Sequence, residues 1–253
     1  ISVSRLGTFN QCPTQYKFKY HEKIVSDEPE PVYFQYGKII HKISERYVEQ
    51  ANPNAFHEIV LDVLSGKIEI EPGKKASPIE GDYKKKIGEH LKNIKTFTDK
   101  MGLNHPGHVE YQFKYDLSPP NECLTTGFID RIIIKGDKYF IIDYKTTKKG
   151  PYRKNPVTVL KDLQLRMYAK VVQRDFGAKP ENIHCCLFYV DGGQGDLVGA
   201  TFSQESIDAA EKEMFDGYLK IKTMAPEQAR GNVGWHCRLC AYKKICPFYS
   251  YKS

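Results

Sequence analysis

The sequence predicts an α/β fold in which helices flank a central mixed β-sheet. Two runs of β-branched and aromatic residues on either side of Gly136-Asp137 predict a β-hairpin. A helical stripe follows over residues 160–177, and a nearly continuous apolar run at 182–190 then predicts a fully buried strand. A hairpin, a crossing helix and a buried strand in this order are typical of a layered α/β domain.

The first hundred residues are predicted to be largely helical, because their apolar residues recur at helical spacing. The clearest stripe contains Ile39, Ile40, Ile43 and Tyr47. A stretch rich in Gly, Pro and Lys at 71–82 predicts a link between two of these helices. The predicted helices cover residues 1–20, 34–50, 56–65 and 83–101.

The remaining elements are predicted from alternation and amphipathicity. Residues 108–117 alternate apolar and polar side chains, which predicts a half-buried strand before the hairpin, with Glu110 on its polar face. A final amphipathic helix is predicted over residues 204–222. It leads into a segment that contains three of the seven cysteines.

The hairpin carries charges in otherwise apolar surroundings. If Lys135 pairs with Lys138, then Asp130 lies opposite Asp143, with Cβ atoms about 5 Å apart, and Lys145 points to the same face. Two buried carboxylates repel each other unless something positive lies between them. A hard cation such as Mg²⁺ or Mn²⁺ fits that gap, and the lysine could orient an attacking water. The alternative is a solvated hairpin with an incidental Asp–Lys pair.

The chain is moderately basic, with 38 Lys and Arg residues against 31 Asp and Glu and a net charge of +7. Part of the excess is local, because Lys148, Lys149, Arg153 and Lys154 follow the acidic hairpin directly. Cationic side chains attract phosphates, so this basic segment is predicted to contact nucleic acid. The alternative is a lysine-rich solvated loop.

Two polar residues lie on the stripe of the crossing helix. Gln164 and Tyr168 are four residues apart and are therefore neighbours on the helix surface. A Gln among core positions needs hydrogen-bond partners. From the sequence, the pair either serves a functional site or is satisfied by local structure.

Four motifs in this order resemble the PD-(D/E)XK nucleases of the RecB-like branch. They are Gly-x-x-x-His at 37–41, GFIDRI at 127–132, DYKT at 143–146 and QLRMYA at 164–169. Ile129 stands where the name-giving motif has proline. The resemblance covers most of the chain and implies an α/β nuclease core.

The resemblance implies roles for individual residues. Asp130 and Asp143 would bind the metal with the Tyr144 carbonyl and His41, and Lys145 would assist the attacking water. Without the resemblance, His41 is only a surface helix residue beside the apolar stripe.

Three further residues acquire roles in the same way. Gln164 and Tyr168 would contact DNA or support the site from behind. Glu110 would aid the metal, although an exposed glutamate on an edge strand is the alternative.

The cysteines give a separate signal. Cys237, Cys240 and Cys246 have the spacing C-x2-C-x5-C, which is typical of a thiolate site and requires a fourth ligand. Cys12 is the candidate, because NQCPTQYKFKY resembles the N-terminal element of RecB-like nucleases with an iron–sulfur cluster, including AddB-type and CRISPR-associated members. The resemblance implies a 4Fe–4S cluster, whereas the spacing alone equally suits zinc.

The expected organisation is a single nuclease domain over residues 1–253. It would contain a helical insertion at 52–107, a catalytic core at 108–202 and a cluster-binding segment at 230–253 closed by Cys12. No segment approaches the roughly 18 apolar residues of a membrane span, and residues 1–20 are too polar for a secretory signal. We therefore expect a soluble, cytoplasmic chain without a membrane partner.

The expected function is metal-dependent hydrolysis of DNA with Mg²⁺ or Mn²⁺. The enzyme would be an exonuclease on single-stranded DNA or duplex ends, in recombination, repair or CRISPR spacer processing, with partner proteins from recombination or CRISPR adaptation. The alternative from another class is a non-catalytic DNA-binding or assembly module whose zinc or iron–sulfur centre is structural.

Overall fold

A computed structural model describes residues 1–117, 123–192 and 196–249. Parts of the predicted catalytic core, residues 118–122 and 193–195, and the end of the predicted cluster-binding segment, residues 250–253, lie outside these ranges. The helices are α1 (Val3–Gln11), α2 (Pro13–Tyr16), α3 (Val32–Gln50), α4 (Phe56–Leu64), α5 (Gly81–Met101), α6 (Leu163–Phe176) and α7 (Gln204–Thr223). The strands are β1 (Gly107–Asp116), β2 (Leu124–Lys135), β3 (Lys138–Lys145), β4 (Ile183–Tyr189) and β5 (Leu197–Ala200).

Within the described ranges the strands form one mixed sheet in the order β1-β2-β3-β4-β5. Strands β3 and β4 are parallel, with α6 between them in sequence, whereas the β2–β3 and β4–β5 pairs are antiparallel. The predicted mixed sheet with flanking helices is confirmed. Strand β5 was not predicted, because four residues are too few to show a period.

The hairpin register is confirmed over most of its length. Pairing runs from Lys135↔Lys138 to Arg131↔Ile142, as the two-residue turn requires. Gly136 adopts φ 62° at the first central turn position, which favours glycine. The hairpin therefore places the part of β2 that carries Asp130 beside the part of β3 that carries Asp143 and Lys145.

Two buried clusters pack helices α3, α4 and α5, the first of them against the sheet. In the first, Ile94 and Phe97 of α5 contact sheet residues that include Ile142 and Phe188, and the Phe97 and Phe188 rings stack at 4.1 Å. The second cluster joins α3 and α4 through residues such as Ile43 and Ile59. The helices of the predicted insertion thus share their apolar faces with α3 and the sheet, as amphipathic helices do.

Helix α6 begins and ends with standard capping chemistry. The Asp162 side chain accepts a hydrogen bond from the Leu165 N–H at 3.0 Å, and Gly177 ends the helix in the left-handed region at φ 66°. Because the helix begins at Leu163, Leu160 lies before it and is exposed, although the sequence placed it on the buried stripe.

The chain divides into two compact units. One comprises residues 30–113 and 128–208, and it contains the predicted catalytic residues. The other comprises residues 1–29, 114–127 and 209–253, and it contains the four predicted cluster cysteines. The single domain and its inner boundaries stay a prediction.

Candidate active site

A histidine and two carboxylates meet at the sheet. His41 on α3, Glu110 on β1 and Asp130 on β2 present ligand atoms that all lie within 4.8 Å of one another. His41 Nδ1 is 3.3 Å from Asp130 Oδ2. This is the one such group of potential ligands within the part of the chain that the structure describes.

Asp130 is fixed by a backbone contact where the hairpin ladder stops. The next pair after Arg131↔Ile142 would be Asp130 opposite Asp143. At this position the Tyr144 N–H donates a hydrogen bond to Asp130 Oδ2 at 2.8 Å. The carboxylate therefore lies next to β3 in a defined orientation.

Glu110 reaches the site through an irregularity in β1. Its φ is 47°, a left-handed value that non-glycine residues rarely adopt within a strand. A residue in this conformation interrupts the alternation of side chains and turns the strand locally. As a result, Glu110 is half-buried beside Asp130, and the alternative of an exposed edge glutamate does not hold.

Asp143 and Lys145 on β3 form the other half of the site. Asp143 is 2% exposed, and its Oδ2 lies 2.5 Å from Lys145 Nζ. Lys145 also donates to Gln164 Oε1 at 3.3 Å, and the Gln164 amide donates to the Tyr168 hydroxyl at 2.8 Å. Gln164 and Tyr168 thus hold the lysine from α6.

Burial and neighbouring charges shift the pKa values of the ionisable groups in the site. Burial and the neighbouring Asp130 charge raise the pKa of Glu110 to about 7. Burial also raises the pKa of Asp143 to about 6, with Lys145 opposing and Asp130 reinforcing the shift. Burial disfavours protonated His41, but the Asp130 carboxylate outweighs it and raises the pKa to about 9. Glu110 and Asp143 therefore have too little positive charge nearby to keep their pKa values at the usual level.

The model of the PD-(D/E)XK nuclease superfamily matches residues 1–247. The chain belongs to this superfamily. Membership makes it a divalent-metal-dependent hydrolytic nuclease, with DNA as the implied substrate.

A solved structure shares this fold at low identity. A "Putative exonuclease" from Eubacterium rectale has 12% identity and a TM-score of 0.55, covering 100% of this chain and 90% of that chain. The structure of SSO0001 has 14% identity and a TM-score of 0.41, covering 94% and 96%. None of the curated proteins matches the sequence.

The residues of this PD-(D/E)XK chain fit a hard divalent cation. One imidazole and two carboxylates converge, and a third carboxylate, Asp143, is buried nearby. Mg²⁺ and Mn²⁺ prefer such oxygen-rich donors, and a bound cation would offset both the burial and the Asp130 charge that raise the pKa of Glu110. The described part of the chain contains no helix long and apolar enough to cross a membrane.

Metal-free protein should become less stable as the pH rises from 4.5 to 7. A carboxyl with a raised pKa in the folded state favours folding only while it is protonated, so Glu110 and Asp143 lose their stabilising effect in this range. The melting temperature in chelator should fall accordingly, and Glu110→Gln should reduce the slope. A parent whose melting temperature rises across this range would contradict the raised pKa values of Glu110 and Asp143.

The structure distinguishes the residues of the basic segment. Arg153 is buried against Asp191 and Asp196, bonds the Thr147 carbonyl at 3.1 Å and lies 4.4 Å over the Tyr189 ring. This arginine holds the loop after β3. A DNA contact for its guanidinium would require these bonds to break.

The lysines of the basic segment are more accessible. Lys148 pairs with Asp82 at 2.9 Å, and Lys154 lies 3.8 Å from Asp162. Within the described residues, Lys149 makes no side-chain ion pair, and its N–H bonds Asp191. Lys149 is therefore the best placed of the four for a phosphate contact, which stays a prediction.

Charge reversal separates the two kinds of residue. Lys149→Glu should weaken DNA binding and lower the salt slope of log K by about one, because one phosphate contact is lost. Arg153→Glu should instead lower the melting temperature, since it places a carboxylate among Asp191 and Asp196. Anisotropy titrations at several salt concentrations and thermal melts would test both. An unchanged salt slope in Lys149→Glu would show that Lys149 does not contact DNA and would favour the alternative of a solvated loop.

Proposed function

We propose that this protein is a Mg²⁺- or Mn²⁺-dependent deoxyribonuclease whose metal is held by His41, Glu110, Asp130, Asp143 and the Tyr144 carbonyl. The observation that carries the proposal is the convergence of His41, Glu110 and Asp130 next to the Asp143–Lys145 pair. A non-catalytic module would not need a half-buried lysine beside four potential ligand side chains from α3, β1, β2 and β3.

The residues around the cation have separable tasks. A bound divalent cation would offset charge on the scissile phosphate and lower the pKa of a bound water. Lys145 keeps its proton, because its raised pKa reflects Asp143, which outweighs the opposing effect of burial. Its ammonium can orient an attacking water and stabilise the developing negative charge. Gln164 and Tyr168 restrict the lysine to one position.

We further propose exonuclease action on single-stranded DNA or duplex ends, in recombination, repair or CRISPR spacer processing. The four RecB-like motifs support this, and the name of the Eubacterium rectale protein agrees with it. Partner proteins would then belong to recombination or CRISPR adaptation.

The test is a digest of linear and circular single-stranded DNA of one sequence. Mn²⁺ or Mg²⁺ should allow degradation of the end-labelled linear strand, while chelator should stop it. The circular strand should resist. Equal cleavage in chelator would refute metal dependence, and cutting of the circle would indicate an endonuclease.

We propose that Cys12, Cys237, Cys240 and Cys246 bind a 4Fe–4S cluster. All four line one cavity, together with His236, whose buried Nε2 has no hydrogen-bond partner in the described residues. Buried polar atoms are normally hydrogen-bonded, so this unpaired nitrogen supports a ligand site in the cavity.

The resemblance of NQCPTQYKFKY to the N-terminal element of cluster-bearing RecB-like nucleases favours a cluster, whereas four thiolates also suit a tetrahedral zinc ion. Anaerobically purified protein should contain iron without stoichiometric zinc, and the reverse result would refute the cluster.

A further inference from the structure

We infer that Tyr33, Phe34 and Phe128 form a platform on which unpaired nucleobases stack beside the metal-binding acids. The inference rests on the proposed nuclease function and identifies the local form of its substrate: a strand whose bases are unpaired at the point of cleavage. Tyr33 and Phe34 lie outside the motifs of the superfamily resemblance, and Phe128 lies in GFIDRI but has no role assigned by that resemblance.

The three rings are exposed, although aromatic side chains are normally buried. Tyr33, Phe34 and Phe128 are 41%, 54% and 50% exposed. The Tyr33 and Phe34 rings lie 4.6 Å apart at the start of α3. Clustered exposed apolar groups in a protein usually mark a binding surface.

The rings open onto the catalytic residues. One cavity of about 740 Å³ is lined by all three rings and by His41, Glu110, Asp130 and Lys145. This volume lies within the range of roughly 300–1,000 Å³ typical of small-ligand sites, so it can admit nucleotides. Phe128 lies two residues before Asp130 on β2, and their side chains point to the same face.

The charges of the cavity favour ring recognition over phosphate recognition. Each lysine that lines the cavity already has a carboxylate partner. Lys38 lies 2.7 Å from both Glu30 and Glu71. Lys42 lies 2.5 Å from Glu45.

The third lysine, Lys145, is paired with Asp143 at 2.5 Å. Among the described residues that line the cavity, no lysine lacks a carboxylate partner, so the bound cation would be the group that contacts the phosphate. Aromatic faces supply the missing affinity, because every base has a face that can stack on them. Bases inside a duplex are already stacked on their neighbours, so the rings can receive only bases that have left the helix.

The experiment compares two linear single-stranded DNA molecules of the same length and sequence. One carries all its bases, and the other lacks bases at its terminal nucleotides. The full chain with Mn²⁺ is tested as the parent, as Phe34→Leu/Phe128→Leu and as Phe34→Trp/Phe128→Trp. Leucine keeps the apolar surface without a ring, whereas tryptophan keeps a ring, so the two variants are matched controls.

The parent should prefer the base-bearing strand. The leucine variant should lose about 10-fold or more in kcat/KM on that strand, while its rate on the strand with abasic ends should equal the parent's. The tryptophan variant should retain the preference.

Several results would overturn the inference. Equal parent rates on the two strands would refute base stacking while leaving the nuclease proposal intact. Equal loss by the leucine variant on both strands would show that the rings serve folding or chemistry. A changed oligomeric state without a base effect would assign them to a contact between copies. A parent that cuts neither strand would instead refute the proposed function.

Discussion

Replacing Asp143 with asparagine should reduce DNA cleavage by more than about 100-fold. The amide is a poorer ligand for a hard cation and removes one negative charge from the site. It also removes the partner that holds Lys145 Nζ at 2.5 Å. Cleavage of end-labelled DNA in Mn²⁺ measures the loss.

The same substitution should not unfold the metal-free protein. Since burial raises the pKa of Asp143 to about 6, the folded protein holds this carboxylate at a cost at higher pH. A carboxyl with a raised pKa stabilises folding below its unfolded-state pKa, and this contribution is lost as the pH rises through 6. At pH 8 the uncharged amide should therefore raise the free energy of unfolding by up to about 3 kcal/mol.

Added metal should reverse the order of stability. The parent should gain about 2.7 kcal/mol when the free metal is 100 times its Kd, whereas Asp143→Asn should gain less. Asp137→Asn is the matched control, because Asp137 lies in the exposed turn of the same hairpin and bonds Asn182. It should change neither cleavage nor the response to metal. A variant at Asp143 that cuts at the parent's rate, or that unfolds in chelator, would show that the aspartate is structural.

Local chemistry made much of the fold predictable. The turn at Gly136-Asp137 set the register of the hairpin, and the pairs from Lys135↔Lys138 to Arg131↔Ile142 follow it. Helices α3 and α5 begin within two residues of their predicted starts, because long amphipathic stripes leave little ambiguity.

The site departs from the sequence prediction where the backbone departs from regular geometry. Alternation placed Glu110 on the polar face of β1, but its φ of 47° turns it towards Asp130. The predicted register places Asp130 opposite Asp143; the strand pairs run in this register as far as Arg131↔Ile142, and Asp130 Oδ2 accepts the Tyr144 N–H. Neither the positive φ of Glu110 nor this side-chain hydrogen bond has a sequence signal, because both are set by the tertiary surroundings.

Ion pairs with residues distant in sequence determine which side chains of the basic segment are available to DNA. The sequence shows four cationic side chains within the seven residues 148–154. It cannot show that Arg153 is neutralised by Asp191 and Asp196. The same holds for the aromatic platform, since Phe34 and Phe128 are far apart in sequence and share a cavity only in the folded chain.

Substituting Cys12 with serine should lower the melting temperature of iron-loaded protein by about 10 °C or more. Ligation of Cys12 together with Cys237, Cys240 and Cys246 would close nearly the whole chain into a loop. By analogy with a disulfide of that loop length, such a crosslink is worth about 5 kcal/mol. In a chain of this size each kcal/mol corresponds to about 2–4 °C.

Cys123→Ser supplies the matched control, because Cys123 is 1% exposed and Cys12 is 7% exposed. Both substitutions exchange a buried thiol for a hydroxyl, so packing alone predicts similar shifts. In iron-free protein the two variants should therefore melt within a few degrees of each other. In loaded protein Cys12→Ser should lose iron and melt far lower, because only this substitution removes a ligand that ties the start of the chain to its end. Equal shifts in loaded protein, with iron retained by the Cys12 variant, would remove Cys12 from the ligand set.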